Sequence, residues 1–221
     1  MLYWVVMCFI PVPGSNSIRL EPGNNFAAWI DSLLLEGHMW KYTKTWDPEG
    51  IFSTLPAIAT GLIGCITGQW LQKNFDSNAK LVPMFVCANI LILSGLAWGM
   101  IFPINKSLWT SSYVLYTAGI ALHALSICYW LIDILKIKTF TPFFFSFGSN
   151  AITAYVLSEL LTRILYIVPS VNASVWESTF KFFSFTFLPL EFLSLLFAMC
   201  YVAFIYIPVR ILYNRKIFIK V

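Results

Sequence analysis

The chain predicts an all-α fold, a polytopic transmembrane helical bundle of five complete spans preceded by a partial N-terminal one. Three observations carry that expectation. Apolar stretches at residues 51–71, 81–102, 113–132, 143–168 and 188–212 each reach the roughly 20 residues that cross a hydrocarbon core about 30 Å thick. The 221 residues are 59% hydrophobic and 11% charged, with a mean hydropathy of +0.76. The connections between most stretches are short, which leaves no room for a separate soluble domain. Residues 1–221 therefore read as a single transmembrane domain in contact with the lipid bilayer.

The charges give the orientation. Lys73, Lys80, Lys136, Lys138, Arg210, Arg215, Lys216 and Lys220 fall on one side of the alternating spans. The other side carries Arg19, Lys41, Lys44, Lys106 and Lys181 against the acids Glu21, Asp31, Glu36, Asp47, Glu49 and Glu177. Eight basic residues against five place the tail in the cytoplasm. The net charge of +4 is scattered, with no basic face or run, so no nucleic-acid partner is expected. Cys8, Cys65, Cys87, Cys128 and Cys200 all lie in apolar runs and read as small hydrophobes, with no metal site.

Taken in order, residues 2–12 are apolar but too short to span, and they lack the basic start and cleavage site of a signal peptide. They read as the outer end of a helix that begins upstream, which would make the chain the C-terminal part of a longer protein. Residues 13–50 form a long outer loop. Within it Asn25 suits a helix N-cap, Phe26, Trp29, Ile30, Leu33 and Leu34 share a helical face, and Gly37 suits the position just past the end. That is an amphipathic helix at the membrane surface, either a plain interfacial element or a lid over a pocket.

Asp47, Pro48 and Glu49 resemble a helix start, with Asp as cap, Pro at the first position and Glu in the first turn. An alternative gathers them with His38, Trp40 and Trp46 into a polar site at the membrane face. A histidine beside carboxylates moves protons near neutral pH, which makes His38, Asp47 and Glu49 candidate catalytic residues. In the first complete span Ala57, Gly61, Gly64 and Gly68 offer a small-residue stripe for a neighbouring helix, and Pro56 kinks the span or opens its first turns.

Residues 103–112 are a short outer loop dense in hydrogen-bonding side chains, either a pocket wall for a sugar or phosphate or a simple polar turn. The stretch at 143–168 contains a polar break from Ser146 to Asn150, followed by Glu159 and Arg163 four residues apart. Ionisable residues inside a span point to function, or here to a pair that locks helices together. Glu191 could join the same patch, whereas Asp133 sits at the inner headgroups.

Four motifs occur in order: Asp47-Pro-Glu-Gly-Ile-Phe-Ser-Thr-Leu-Pro-Ala-Ile58, Pro103-Ile-Asn-Lys-Ser-Leu-Trp-Thr-Ser-Ser-Tyr-Val114, Phe147-Gly-Ser-Asn-Ala-Ile152 and Tyr213-Asn-Arg-Lys-Ile-Phe-Ile-Lys220. In these the chain resembles the heparan-α-glucosaminide N-acetyltransferase family of transmembrane acetyltransferases, its bacterial relatives in particular. The resemblance implies a multi-helix membrane bundle with a cytosolic C-terminus. It further implies transfer of acetyl from cytosolic acetyl-CoA to the amine of a terminal glucosamine, or of a related amino sugar or glycan, across the membrane. Asn105, Lys106, Trp109, Ser111 and Asn150 then become candidate substrate-binding groups, joined by Glu159 and Arg163.

The histidine usually assigned the catalytic role in the family lies in an N-terminal region that has no counterpart here. The missing N-terminal helices, or a partner chain, are therefore expected to complete the site, and a homo-oligomer is a further possibility. Gly-Ser-Asn also stands where relatives often have Gly-Met-Asn. The sequence leaves open N- or O-acetylation, and direct transfer or transfer through an acetyl-histidine. A bacterial inner membrane is the expected location. Outside this class stand a polar-solute carrier gated by Glu159 and Arg163, and an inactive remnant. Asn105-Lys-Ser and Asn172-Ala-Ser fit the N-glycosylation sequon on the outer side.

Overall fold

The computed structural model describes residues 2–15, 18–139, 141–168, 174–183 and 189–219. The sequon residue Asn172, Leu188 and Lys220 lie outside them. Every regular element among the described residues is helical: α1 Leu2–Phe9, α2 Phe26–Leu34, α3 Thr54–Gln72, α4 Ser77–Gly99, α5 Ser111–Tyr129, α6 Thr141–Ser149, α7 Ala151–Ile167, α8 Val175–Phe183 and α9 Leu190–Asn214. A five-residue π-helical turn, Trp130–Ile134, continues α5. Among the described residues, four helices are long and apolar enough to cross a membrane: Thr54–Gln72, Ser77–Gly99, Ser111–Ile134 and Leu190–Asn214. They fit an integral, multi-pass membrane protein.

The expected count of five continuous spans is not reproduced. The stretch at 143–168 divides at Asn150, whose backbone leaves the helix at φ −129° and ψ 40°. Gly148, Ser149 and Asn150 all have weak helix propensity, and an Asn side chain competes with the helix for backbone partners. Nine residues of α6 and seventeen of α7 result. The start of α3 also differs from expectation. Helix geometry begins at Thr54, so Asp47 and Glu49 belong to a separate turn and do not cap the span. Pro56 falls in the first turn, where its missing amide costs no helical bond.

The chain forms two compact units, Met1–Lys136 and Ile137–Val221. In the first, α4 and α5 pack along their length. A Cβ on Gly95 would lie 2.6 Å from the Tyr116 backbone nitrogen, and one on Gly119 would lie 2.8 Å from that of Ile92 and 2.9 Å from the Ala88 oxygen. Two helix backbones meet this closely only where a side chain is absent. Met84, Ala88 and Leu122 fill the seam, with Trp70, Leu71 and Leu91 against it. The small-residue expectation for α3 is therefore corrected: Gly61, Gly64 and Gly68 have nothing within 4 Å of a built Cβ. The outward turn of Leu55, Ile58, Leu62 and Ile66 on α3 suits a hydrocarbon solvent.

A second core sits at the outer end of this unit. Tyr3 and Met7 of α1 are buried with Ala27, Phe102 and Leu108, and Trp4, Phe26, Phe52 and Trp98 pack around them. In the other unit, Tyr206 of α9 packs against Phe143 and Phe147 at ring separations of 4.7 and 5.8 Å. Tyr201 ties α9 to α7, its hydroxyl donating to the Ser158 carbonyl at 2.7 Å and meeting Thr162 Oγ1 at 2.8 Å. Trp176 of α8 stacks on Tyr166 at 5.3 Å.

The α4–α5 seam yields a direct test. Gly95→Ala and Gly119→Ala overpack it and are each expected to cost about 1–3 kcal/mol, a fall in Tm of about 2–4 °C per kcal/mol in a chain of this size. Gly61→Ala meets nothing and leaves Tm within about 1 °C, the shift of a surface change. Thermal unfolding of the three variants in detergent checks the ranking, and an equal response at Gly61 would refute it.

Candidate functional site

Two polar loops converge at one end of the first unit. The N-cap side chain of Asn25 accepts from the Ala28 amide at 2.9 Å and donates to the Glu21 carbonyl at 2.8 Å, so α2 starts where the sequence places it. Gly37 follows with a φ of +77°. The face that α2 turns inward, however, is Ala27, Ala28 and Asp31; Leu33 and Leu34 point outward. Small side chains let the helix approach the turn ahead of α3, where a Cβ on Gly50 would lie 1.9 Å from Asp31 Oδ2.

Asp31 is the anchor of that approach. Its side chain is 2% exposed, and Oδ1 accepts from the Ile51 amide at 2.9 Å. Burial pushes the carboxyl above its ordinary 3.8; the Ile51 and Phe52 amides pull against that, and nearby Asp47 adds to the rise. Asp47 has a structural task of its own. Its Oδ2 accepts from the Trp40 amide at 3.0 Å and Oδ1 from the Glu49 amide at 2.9 Å, closing the loop from 40 to 49. His38 and Glu49 are exposed on this loop, and His38 Nδ1 lies 3.2 Å from the Glu36 carbonyl oxygen. A carbonyl only accepts, so Nδ1 is the donor in this contact.

The loop at 103–112 is organised the same way. Asn105 Oδ1 accepts from the Ser107 and Leu108 amides at 2.9 and 3.3 Å. Thr110, fully buried, accepts from the Asn105 and Tyr113 amides at 3.0 and 3.3 Å and meets Ser112 Oγ at 3.0 Å. Ser112 in turn donates to the Phe102 carbonyl at 2.6 Å. Trp109 is held at a φ of +49°, a strained region for an aromatic residue, with its indole N–H donating to Thr60 Oγ1 at 3.1 Å. Ser111 Oγ accepts from the Trp98 indole at 2.9 Å, and Lys106 is exposed.

The two loops meet around a cavity of about 10 Å³ whose lining includes Asn25, Asp31, Trp46, Asp47, Ser53 and Ser107, room for about one water molecule. Beside it opens a cleft of about 560 Å³ whose polar lining includes Arg19, Asn24, Ser32, Glu36, Lys44 and Thr45. Gly37 and Met39 also line the cleft, with His38 between them in sequence.

The remaining expected residues lie in the second unit. Asn150 is fully buried at the α6–α7 break. Glu159 and Arg163 do pair, at 3.6 Å, on an open face of α7 with side chains 54% and 76% exposed. Glu191 stands in the first turn of α9 with no ion-pair partner among the described residues. Three participants escaped the sequence reading. Asp31 and Thr110 looked like ordinary loop and helix polar residues, because their partners are set by the fold. His123 had a visible signal, a histidine inside an apolar run. Its Nδ1 is buried without a partner, and its ring lies edge-on to Phe85 at 5.0 Å.

Comparison with known proteins adds the following. No family model matches the chain. It is 29% identical over 188 residues to heparan-alpha-glucosaminide N-acetyltransferase from Mus musculus, covering 72% of the chain and 28% of that protein. It is also 29% identical over 188 residues to the Homo sapiens protein of the same name, covering 71% of the chain and 28% of the relative. The chain thus spans about 28% of the length of the curated relatives it matches.

Two predictions follow from the loop chemistry. Thr110→Val strands buried amides and is expected to destabilise the chain by about 1–3 kcal/mol, while Lys106→Ala stays within about 0.5 kcal/mol; thermal unfolding distinguishes them. Asp31 gives a pH dependence. Its folded pKa is raised above the unfolded one, so the folded state holds the proton more tightly. That contribution is fully present below about pH 4 and is lost as pH rises through the folded pKa. Asp31→Asn carries no charge, so its Tm relative to the native chain should rise steadily across that window. A gap independent of pH would refute the assignment.

Proposed function

We propose that this chain is the membrane-embedded part of an acetyltransferase that moves acetyl from cytosolic acetyl-CoA to the amine of a terminal glucosamine, or a related amino sugar, on the outer face of a bacterial inner membrane. The observation that carries this reading is the agreement over 188 residues with two enzymes named for acetylating heparan α-glucosaminide. The outer cleft supports it. Hydrogen-bonding side chains and Trp29 line a volume of about 560 Å³, which suits a polyhydroxylated ring of that size.

Roles follow from which polar atoms are free. Asp47 spends both carboxylate oxygens on backbone amides and acts as a positioning residue for the loop. Glu49, exposed on that loop, attracts the sugar ammonium. His38 Nε2 takes the proton that the ammonium must lose before its nitrogen becomes nucleophilic. Acetyl-CoA supplies the activated acyl group as a thioester: the new C–N bond replaces the C–S bond, and the departing sulfur is protonated as the thiol. Trp109, fixed by Thr60, and Asn105 shape the adjoining loop. For the donor, the fit rests on Arg210, a half-buried cation with no carboxylate partner among the described residues, which suits phosphate.

The test is transfer from labelled acetyl-CoA to glucosamine in membranes carrying the chain alone and in its full reading frame. His38→Ala is expected to lower kcat by about 100-fold or more, the usual contribution of a general base, and Glu49→Gln to raise KM with little change in kcat. Full activity in both variants would remove these roles. Absence of transfer in the full reading frame would remove the glucosamine reading itself.

A further inference from the structure

The α6–α7 break leaves polar groups unsatisfied inside an otherwise apolar unit. Asn150 is fully buried; its Oδ1 accepts from the Ile219 amide at 3.3 Å, but Nδ2 has no partner. It occupies the N-cap of α7 without making a cap bond to that helix. Thr153, three residues on, has its Oγ1 buried and unpartnered as well. The N-cap and N3 side chains project over the same first-turn amides. Three kinds of donor are therefore gathered at the first turn of α7: the Asn150 amide, the Thr153 hydroxyl and the backbone N–H groups at the positive end of a seventeen-residue helix.

A cation stands beside them. Arg210 Nη1 donates to the Pro142 carbonyl at 3.3 Å and to Ser146 Oγ at 3.2 Å, and Ser146 lies one helical turn before Asn150. Both acceptors are neutral, the guanidinium lies 5.5 Å from the Tyr213 ring centroid, and it has no carboxylate partner among the described residues. The Ile219 bond to Asn150 brings the tail back to the break, and with it the exposed Arg215 and Lys216. A Cβ on Gly148, two residues before Asn150, would meet nothing within 4 Å. Helix amides, the Asn150 amide hydrogens, the Thr153 hydroxyl and an arginine with no carboxylate partner among the described residues together offer hydrogens and positive charge to a phosphate.

We infer that the α6–α7 break binds a phosphate group, with Asn150, Thr153 and Arg210 as its ligands, and that the group belongs to the acyl-CoA donor. The second clause rests on the acetyltransferase reading; the first rests on the donors alone. An anionic lipid headgroup carries the same chemistry and is separated from the donor by experiment.

The whole chain is placed in phosphatidylcholine nanodiscs, and equilibrium binding of coenzyme A, 3′-dephospho-coenzyme A and pantetheine is measured. Coenzyme A should bind at least about tenfold more tightly than pantetheine, which has no phosphate, the ratio expected of one charge-assisted contact. Asn150→Ala and Arg210→Met should each weaken coenzyme A by about tenfold on the same basis and leave pantetheine unchanged. Thr153→Val, equal in volume, keeps the test open where Arg210→Met fails to fold. If phosphatidylglycerol nanodiscs compete with coenzyme A and these variants abolish the competition, the phosphate site stands and its occupant is the lipid. Unchanged binding of both coenzyme A and phosphatidylglycerol in Asn150→Ala and Thr153→Val overturns the site. Acetyl transfer that survives in those variants at unchanged coenzyme A affinity would overturn the site and leave the reaction; phosphate binding without transfer would do the reverse.

Discussion

An unpaired backbone amide is too costly to keep where water is scarce, and that constraint shapes the turns and loops described between α1 and α5. Within the spans the helices satisfy their own amides. At the outer end, where chain direction reverses, side chains take over as acceptors. Asn25 serves Ala28, Asp31 serves Ile51, Asp47 serves Trp40 and Glu49, Asn105 serves Ser107 and Leu108, and Thr110 serves Asn105 and Tyr113. Four of these five residues are Asn or Asp, whose short oxygens reach a backbone a few residues away and so suit turns more than helices. The outer loops are thereby fixed by local geometry, which gives the cleft beside them a stable wall.

The α6–α7 break departs from that pattern. It too interrupts a helix, and an Asn again sits at the interruption, but here the Asn leaves its own amide hydrogens and the α7 first turn without side-chain partners. The same residue type caps a turn in one unit and opens a helix end in the other. What differs is the polar setting: residues 21–53 carry Glu21, Asp31, Glu36, Asp47 and Glu49, and 103–112 carry Asn105, Ser107, Thr110, Ser111 and Ser112, whereas the break is flanked by Phe143, Phe144, Phe145 and Phe147. An apolar setting raises the value of any acceptor that enters it.

Much of the fold was legible because hydrophobic run length in a membrane is set by bilayer thickness. The four observed spans differ from the apolar runs by a few residues at either end. The broken fifth was visible as a polar interruption, but run length alone could not say that Asn150 would leave the helix. Small-residue spacing misled for a physical reason. It states that a backbone can be approached, not which neighbour will come, and Gly95 and Gly119 took the role that Gly61, Gly64 and Gly68 advertised. Asp31 was hidden because its partner is twenty residues away, a relation that only folding creates.

The candidate site was legible in its residue types and not in their division of labour. Of three outer residues proposed for catalysis, Asp47 is bound to the backbone through both oxygens, while His38 and Glu49 remain exposed. Both Asp47 oxygens are engaged in holding the loop, whereas the His38 ring makes its one hydrogen bond through Nδ1. The Glu159–Arg163 pair divides in the same way. Its members neutralise each other across one helical turn yet stay more than half exposed, on a segment flanked by Leu160 and Ile164. Hydrocarbon does not tolerate that exposure, and so the pair marks a face of α7 built to meet protein or water rather than lipid.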